Sequence, residues 1–275
     1  MGEIRRESGF ATSGNARIYY EAAGQGIPFV MLHAGVANSR MWDNEFEYFS
    51  RQFRVVRFDL RGYGKSEPEE GEFRHIQNLK AVLDELQVEQ PAILMGCSMG
   101  GGLAMDYALE EPAKVKALIM VGSAPMGLEL DVSESPKFAE AEKAFEAGDL
   151  DRVAEIETQI WFDGEGRTPQ QVNQEMRRKL YEMNRLALEY EARGLGKRLP
   201  DAETPAAGRL SELEIPVLVI VGLNDSEYLR RAAVVMVKNR PEARKVMLEE
   251  AAQLPNMDHP QEFRRAVETF LEAVM

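Results

Sequence analysis

The chain has 275 residues, 44% of them hydrophobic, and its 46 acidic against 33 basic residues give a net charge of −13. That length suits one large α/β core carrying an insertion. The charge argues against nucleic acid or anionic membrane as a partner, since both require clustered positive charge. A lone cysteine, Cys97, excludes an intrachain disulfide framework and suits a reducing cytosol.

The first residues, MGEIRRESGFATSG, carry charge but no apolar core like that of a signal peptide. Arg6 stands where a myristoylation motif beginning at Gly2 needs Ser or Thr. ARIYYEAAG (16–24) alternates like an early strand, and PFVMLH (28–33) and FRVVRFD (53–59) are nearly unbroken apolar runs. PAILMG (91–96), KALIMVG (116–122) and PVLVIVG (216–222) continue the series, and ARKVMLEE (243–250) is a last strand candidate. Continuous apolar strands belong to a sheet covered on both faces. Helical patterns over 39–52, 76–87, 99–112 and 261–274 separate or follow them. The βαβα alternation predicts a mostly parallel, doubly wound sheet. No run is long enough to span a bilayer, and a soluble, cytoplasmic protein is expected.

From Met126 to Gly208 the strand rhythm stops, and only helical spacing and polar loops remain. Phe138, Ala141 and Phe145 recur at helical spacing, as do Leu150, Val153, Ile156 and Ile160. A third block, 167–194, has Thr168 as a candidate N-cap and Pro169 at the first helical position. The expected organisation is therefore a core of 1–125 and 209–275 with a helical cap at 126–208. Such an insertion lies near the carboxyl ends of the strands, where these sheets place ligands.

The strongest motif is Gly96-Cys97-Ser98-Met99-Gly100, a G-x-S-x-G with an apolar strand before it and a helix after. A sharp strand-to-helix turn exposes the serine, and the flanking glycines let the chain pass without Cβ clashes. The helix N-terminus then favours negative charge developing beside Ser98. Cys97 inside this turn is expected to be packed rather than reactive. FDLRGYGKS (58–66) invites a nucleotide-binding reading that fails: Asp59 and Glu67 replace the glycines that the P-loop and dinucleotide fingerprints need.

LHAGVANSRMW (32–42), DLRGYGKS and the serine turn together resemble the α/β-hydrolase superfamily, in its branch of small esterases and lactonases. The resemblance covers almost the whole chain and is weakest in the cap. It implies an α/β-hydrolase fold with Ser98 as nucleophile and the N–H groups of Gly35 and Met99 as an oxyanion hole. It also implies Asp225, three residues past the strand-end Gly222, as the acid that orients a histidine. Asp225 as a mere helix cap is the bland alternative. His33 resembles the family's structural histidine, and Ala34 departs mildly from its usual glycine. Ala34, Val36, Met126, Trp161 and Leu254 are candidate pocket residues, with plain core as the competing role.

The histidine itself is missing. The family pattern Gly-x-x-His is matched by Glu250-Ala251-Ala252-Gln253, so Gln253 stands at the general-base position. His259 matches the second histidine of the pattern, six residues on, and His75 has no motif to bring it to Ser98. The three histidines show no metal-ligand spacing, and no cofactor is implied. An amide cannot take and return a proton, although its oxygen can imitate an acceptor for Ser98 and its NH₂ a donor to Asp225. Three explanations fit: a deliberate His-to-Gln change, a natural pseudo-hydrolase that binds a small molecule or senses it, or chemistry in which water or substrate replaces the base. The expected ligand is a small ester or lactone, and the oligomeric state is not legible.

Overall fold

The computed structural model describes residues 4–240 and 242–275; Gly2 of the N-terminal reading lies outside them. Among the described residues ten strands occur: β1 (Arg6–Ser13), β2 (Ala16–Ala23), β3 (Pro28–Leu32), β4 (Arg54–Phe58), β5 (Glu72–Phe73), β6 (Ala92–Cys97), β7 (Val115–Val121), β8 (Lys197–Arg198), β9 (Val217–Gly222) and β10 (Arg244–Leu248). Eight of them form one sheet in the order β1-β2-β4-β3-β6-β7-β9-β10. Pairing is antiparallel from β1 to β4 and parallel from there on. All expected strands are present; β1 and the two-residue β5 and β8 are additional. β1 lies at the edge of the large sheet. Its residues are mostly exposed, so no apolar alternation marks it in the sequence.

The helices are α1 (Asp43–Phe49), α2 (His75–Glu85), α3 (Met99–Glu110), α4 (Pro136–Glu146), α5 (Leu150–Thr158), α6 (Gln174–Ala192), α7 (Glu227–Asn239), α8 (Pro255–Asp258) and α9 (Pro260–Val274). Two layers of core lie on opposite faces of the sheet. Val30 and Leu32 of β3 face a cluster with Leu79 of α2, Leu103 of α3 and Met236 of α7. Phe29 and Met31 face the other cluster, with Phe49 of α1 and Phe263 of α9. Burial on both faces is what made these strands read as unbroken apolar runs.

The chain leaves β3 toward β4 on one side and returns through β6 on the other, so β3 is the switch point of the sheet. Leu32 pairs with Gly96 at the carboxyl ends of these two strands. That pairing sets the loop after β3 beside the turn after β6, where open α/β sheets bind ligands.

Between β7 and β9 the chain runs through α4, α5 and α6, which share a small core of Ala141, Val153, Ile156 and Leu188. Two details differ from the sequence reading. Thr168 and Pro169 begin only a 3₁₀ turn, and the long helix starts at Gln174 with Asn173 accepting from the Glu175 and Met176 amides. Lys197–Arg198 also pairs in parallel with Glu72–Phe73, a two-residue ladder too short to leave a pattern. No helix of the described residues is long and apolar enough to cross a membrane.

Candidate active site

Ser98 joins β6 to α3 with φ 50° and ψ −115°, a conformation that residues with a Cβ rarely adopt. The surroundings hold it there. Its amide donates to the Val121 carbonyl at 2.9 Å, and its own carbonyl accepts from Ser123 Oγ at 2.8 Å. A Cβ on Gly100 would lie 2.5 Å from the Leu32 carbonyl oxygen, and one on Gly96 would collide with the Gly100 carbonyl. Both glycines are needed because helix and strand ends touch through their backbones. Cys97 is fully buried, and burial pushes its thiol well above the usual range; it is a core atom, as expected.

The loop after β3 is braced by His33. Leu60 N–H donates to its Nε2 at 3.0 Å, so the proton sits on Nδ1 and is donated to the Ala34 carbonyl at 2.8 Å. Burial pushes the imidazole pKa down and keeps it neutral. Gly35 follows, with the position of a Cβ 3.8 Å from the Cβ of Met99, so the two expected oxyanion donors are neighbours. The 58–66 segment is a structural turn: Asp59 accepts from the Ser39 and Lys65 amides, each at 2.8 Å.

Gln253 reaches Ser98. Its Nε2 donates to Ser98 Oγ at 2.9 Å and to the Gly122 carbonyl at 3.2 Å. This reverses the expected bonding, in which the amide oxygen would accept from Ser98 and the NH₂ would serve Asp225. The Gly122 carbonyl is the cause: it can only accept, so the nitrogen edge of the amide must face it. Asp225 is consequently left alone. Its Oδ1 accepts from the Ser226 amide at 2.8 Å, but its buried Oδ2 has no partner among the described residues. Burial raises its pKa to about 7. The loops nonetheless hold together, since Asn224 N–H donates to the Ala251 carbonyl at 2.9 Å. The helix after Asp225 is capped by the Ser226 hydroxyl, which leaves Asp225 free of the bland capping role.

The other histidines are elsewhere. His259 Nε2 bonds the Glu250 carbonyl at 3.0 Å, and His75 Nδ1 pairs with Asn78 Oδ1 at 3.2 Å. No cluster of metal-ligating side chains occurs among the described residues.

Ser98, Met99 and Gln253 line a cavity of about 920 Å³, with Met126, Trp161 and Tyr228 in its apolar wall. That volume lies at the upper end for small-molecule pockets, roughly 300–1,000 Å³. Of the candidate pocket residues, Met126 and Trp161 are in this wall. Ala34 and Leu254 are not: both are buried in the core beneath the sheet ends. Val36 and Gly35 border a separate, smaller cavity. Which side each faces follows from the packing of the loop, and no periodicity encodes it. The sequence reading also missed Tyr228, whose hydroxyl donates to the Leu128 carbonyl at 2.8 Å and ties α7 to the cavity wall. Trp161 sits in a single π-turn, Gln159–Asp163, a local widening often found at functional sites.

A serine on a strained strand-to-helix turn, beside a braced loop, thus opens onto the larger cavity. A family model for the alpha/beta hydrolase fold matches residues 27–260, and the chain belongs to that family. Among curated relatives, the pimeloyl-[acyl-carrier protein] methyl ester esterase of Aeromonas hydrophila is 29% identical over 255 residues, covering 91% of this chain and 98% of that protein. Among solved structures, a thermophilic esterase from Thermogutta terrifontis superposes with a TM-score of 0.77 at 22% identity, covering 98% of this chain and 99% of that one. The enol-lactonase from Burkholderia xenovorans LB400 gives 0.78 at 19% identity, covering 96% and 100%. The last two show the fold alone.

Proposed function

We propose that the chain is a serine hydrolase for small carboxylic esters or lactones whose turnover is crippled at one position. Ser98 is the nucleophile, Gly35 and Met99 supply the oxyanion donors, Asp225 is the acid, and Gln253 fills the place of the general base. The observation that carries this reading is the 2.9 Å contact between Gln253 Nε2 and Ser98 Oγ. Residue 253 is within reach of the nucleophile, as a base must be, but presents a donor instead of an acceptor.

With histidine at 253, the ring would take the Ser98 proton as Oγ bonds to the ester carbonyl. The carbonyl oxygen would become an oxyanion held by the two amides. The proton would then pass to the departing alkoxide as the C–O bond breaks, and a water would release the acyl group by the same route. The orphaned Oδ2 of Asp225 would gain a ring N–H. With glutamine, the first proton has no acceptor. Loss of the base costs roughly 10⁴ to 10⁶ in turnover, leaving roughly 10³ to 10⁴ over water from positioning and the oxyanion hole.

The test is hydrolysis of p-nitrophenyl acetate and butyrate by the chain and by Gln253→His. A rise of about 10⁴-fold or more is expected, with matching acceleration of Ser98 labelling by a fluorophosphonate. The second reading, a non-catalytic binding protein on the same fold, is favoured by the intact 920 Å³ cavity. It prevails if Gln253→His gains nothing and Ser98 stays unlabelled.

A further inference from the structure

A second cavity, of about 370 Å³, lies on the other side of the 33–36 loop, with Gly35, Tyr63, His75, Glu157, Ala187 and Arg198 in its wall. Met99 separates it from Ser98. Tyr63 OH stands 3.8 Å from the Met99 sulfur, Arg198 Nη1 stands 3.1 Å from it, and a Cβ on Gly35 would lie 3.8 Å away. Met99 itself borders the larger cavity.

Two guanidinium groups, Arg61 and Arg198, and two carboxylates, Glu157 and Glu191, line this cavity. Arg198 pairs through Nη2 with Asp201 at 2.9 Å, but its Nη1 faces only the Met99 thioether, a weak acceptor. Arg61 is 3% exposed. It is held by the Asn15 side chain and the Glu69 and Glu70 carbonyls, with no described carboxylate in an ion pair with it and its Nε unpartnered. It lies against Gly196, where a Cβ would be 3.4 Å from its Nη2, and shares the cavity wall with Arg198. His75 adds no charge, because burial and then Arg198 push its pKa down to about 3. On the cap side, Glu157 accepts from Asn184 at 2.8 Å, and its pKa is raised by burial. Glu191, which is exposed, completes that wall.

We propose that this cavity binds the carboxylate of a small organic acid through Arg198, with Arg61 behind it as fixed charge and Met99 as the partition from Ser98. A flat monoanion matches the Nη1 edge of Arg198, whose side chain is 38% exposed and which otherwise meets only a thioether, with the buried, unpartnered Nε of Arg61 in the same wall. A phosphate dianion would face Glu157 and Glu191 across a small cavity, and a cation would face Arg198. The assignment does not depend on turnover at Ser98.

Calorimetric titration of the full chain with monomethyl glutarate and dimethyl glutarate at low salt tests it. The monoacid binds at least tenfold more tightly than the diester, Arg198→Gln removes that preference, and Arg198→Lys keeps part of it. Ala187→Phe fills the cavity and abolishes monoacid binding, whereas Met126→Ala in the larger cavity leaves it unchanged. Equal binding of acid and diester, binding of neither, or an acid preference that survives in Arg198→Gln overturns the proposal. Should Ala187→Phe fail to fold, the Arg198 pair decides alone. Failure of the esterase reading would show instead as an inactive Gln253→His with the acid preference intact.

Discussion

Gln253 Nε2 donates a hydrogen to Ser98 Oγ, so the serine oxygen is held as an acceptor, the reverse of what the proposed mechanism asks of that atom. The Gly122 carbonyl fixes the amide in that direction. Asp225, whose partner should be residue 253, keeps one oxygen buried and unbonded. A group buried without a partner costs stability and shifts its titration.

That cost depends on pH. Asp225 titrates near 7 in the fold because burial disfavours its charge, and the Ser226 amide and Arg230 offset this only in part. In the unfolded chain the same carboxyl titrates near about 3.9. Between those values the folded chain holds the extra proton. The contribution of Asp225 to stability is therefore full below about pH 4 and is lost as pH rises to about 7. The Asp225→Asn variant lacks this loss. Its Tm relative to the parent should rise by several degrees between pH 5 and pH 8, measured by thermal denaturation. His33 and His75, whose lowered pKa values act in the opposite sense, are common to both chains and cancel. A constant offset across that range contradicts the assignment.

The serine turn tolerates no side chain at its second glycine. A Cβ on Gly100 meets the Leu32 and His33 carbonyl oxygens at 2.5 and 2.6 Å, both rigid backbone. Gly100→Ala should cost more than about 3 kcal/mol, among the largest single-residue effects. Two residues on, a Cβ at Gly102 would meet the flexible Met126 side chain at 3.4 Å. Gly102→Ala, on a regular helical backbone, should be neutral or stabilise by about 0.5–1 kcal/mol. Urea unfolding of the two variants distinguishes them; equal effects would mean that α3 does not press on β3 as described.

Arg167 fastens the helical segment to the loop of residue 253. It donates to the Asp163 and Phe162 carbonyls, each at 2.7 Å, to the Glu250 carbonyl, and to Asp258 Oδ2 at 2.6 Å. Both partners of the ion pair are nearly buried, with 10% and 5% of their side chains exposed. Removing one side of such a pair costs about 3–5 kcal/mol, because the other charge stays buried. Arg167→Ala should lower the unfolding midpoint accordingly. Arg167→Lys, which keeps the charge but not the fork, should recover only part. No loss in Arg167→Ala would show that the pair is solvated.

The strands, the serine turn and the family were legible because each rests on a local rule. Burial on both faces made the runs from Pro28 to Gly222 apolar, and backbone contact required Gly96 and Gly100. Strand β1 was silent because its exposed residues carry no alternation. The direction of the Gln253 amide was not legible either. It depends on a carbonyl 131 residues away in the chain, at Gly122. The surroundings of Ala34, in the core, and Val36, at the smaller cavity, were silent for a similar reason: where a loop residue faces follows from packing, not from spacing.

The segment 161–167 touches the loop of residue 253 at three points and the Asp225 loop at a fourth. The Gln253 amide donates to the Trp161 carbonyl at 3.3 Å, a Cβ on Gly164 would meet that of Ala252 at 2.6 Å, Glu165 N–H binds the Asn224 carbonyl at 2.7 Å, and Arg167 closes the set. The wall of the cavity and the position opposite Ser98 are thus one mechanical part. Any outward swing of that wall that widens the path to the serine drags residue 253 and the Asp225 loop with it. Admission of a ligand and alignment of the reacting groups run on the same clasp, and a looser clasp would separate their timing.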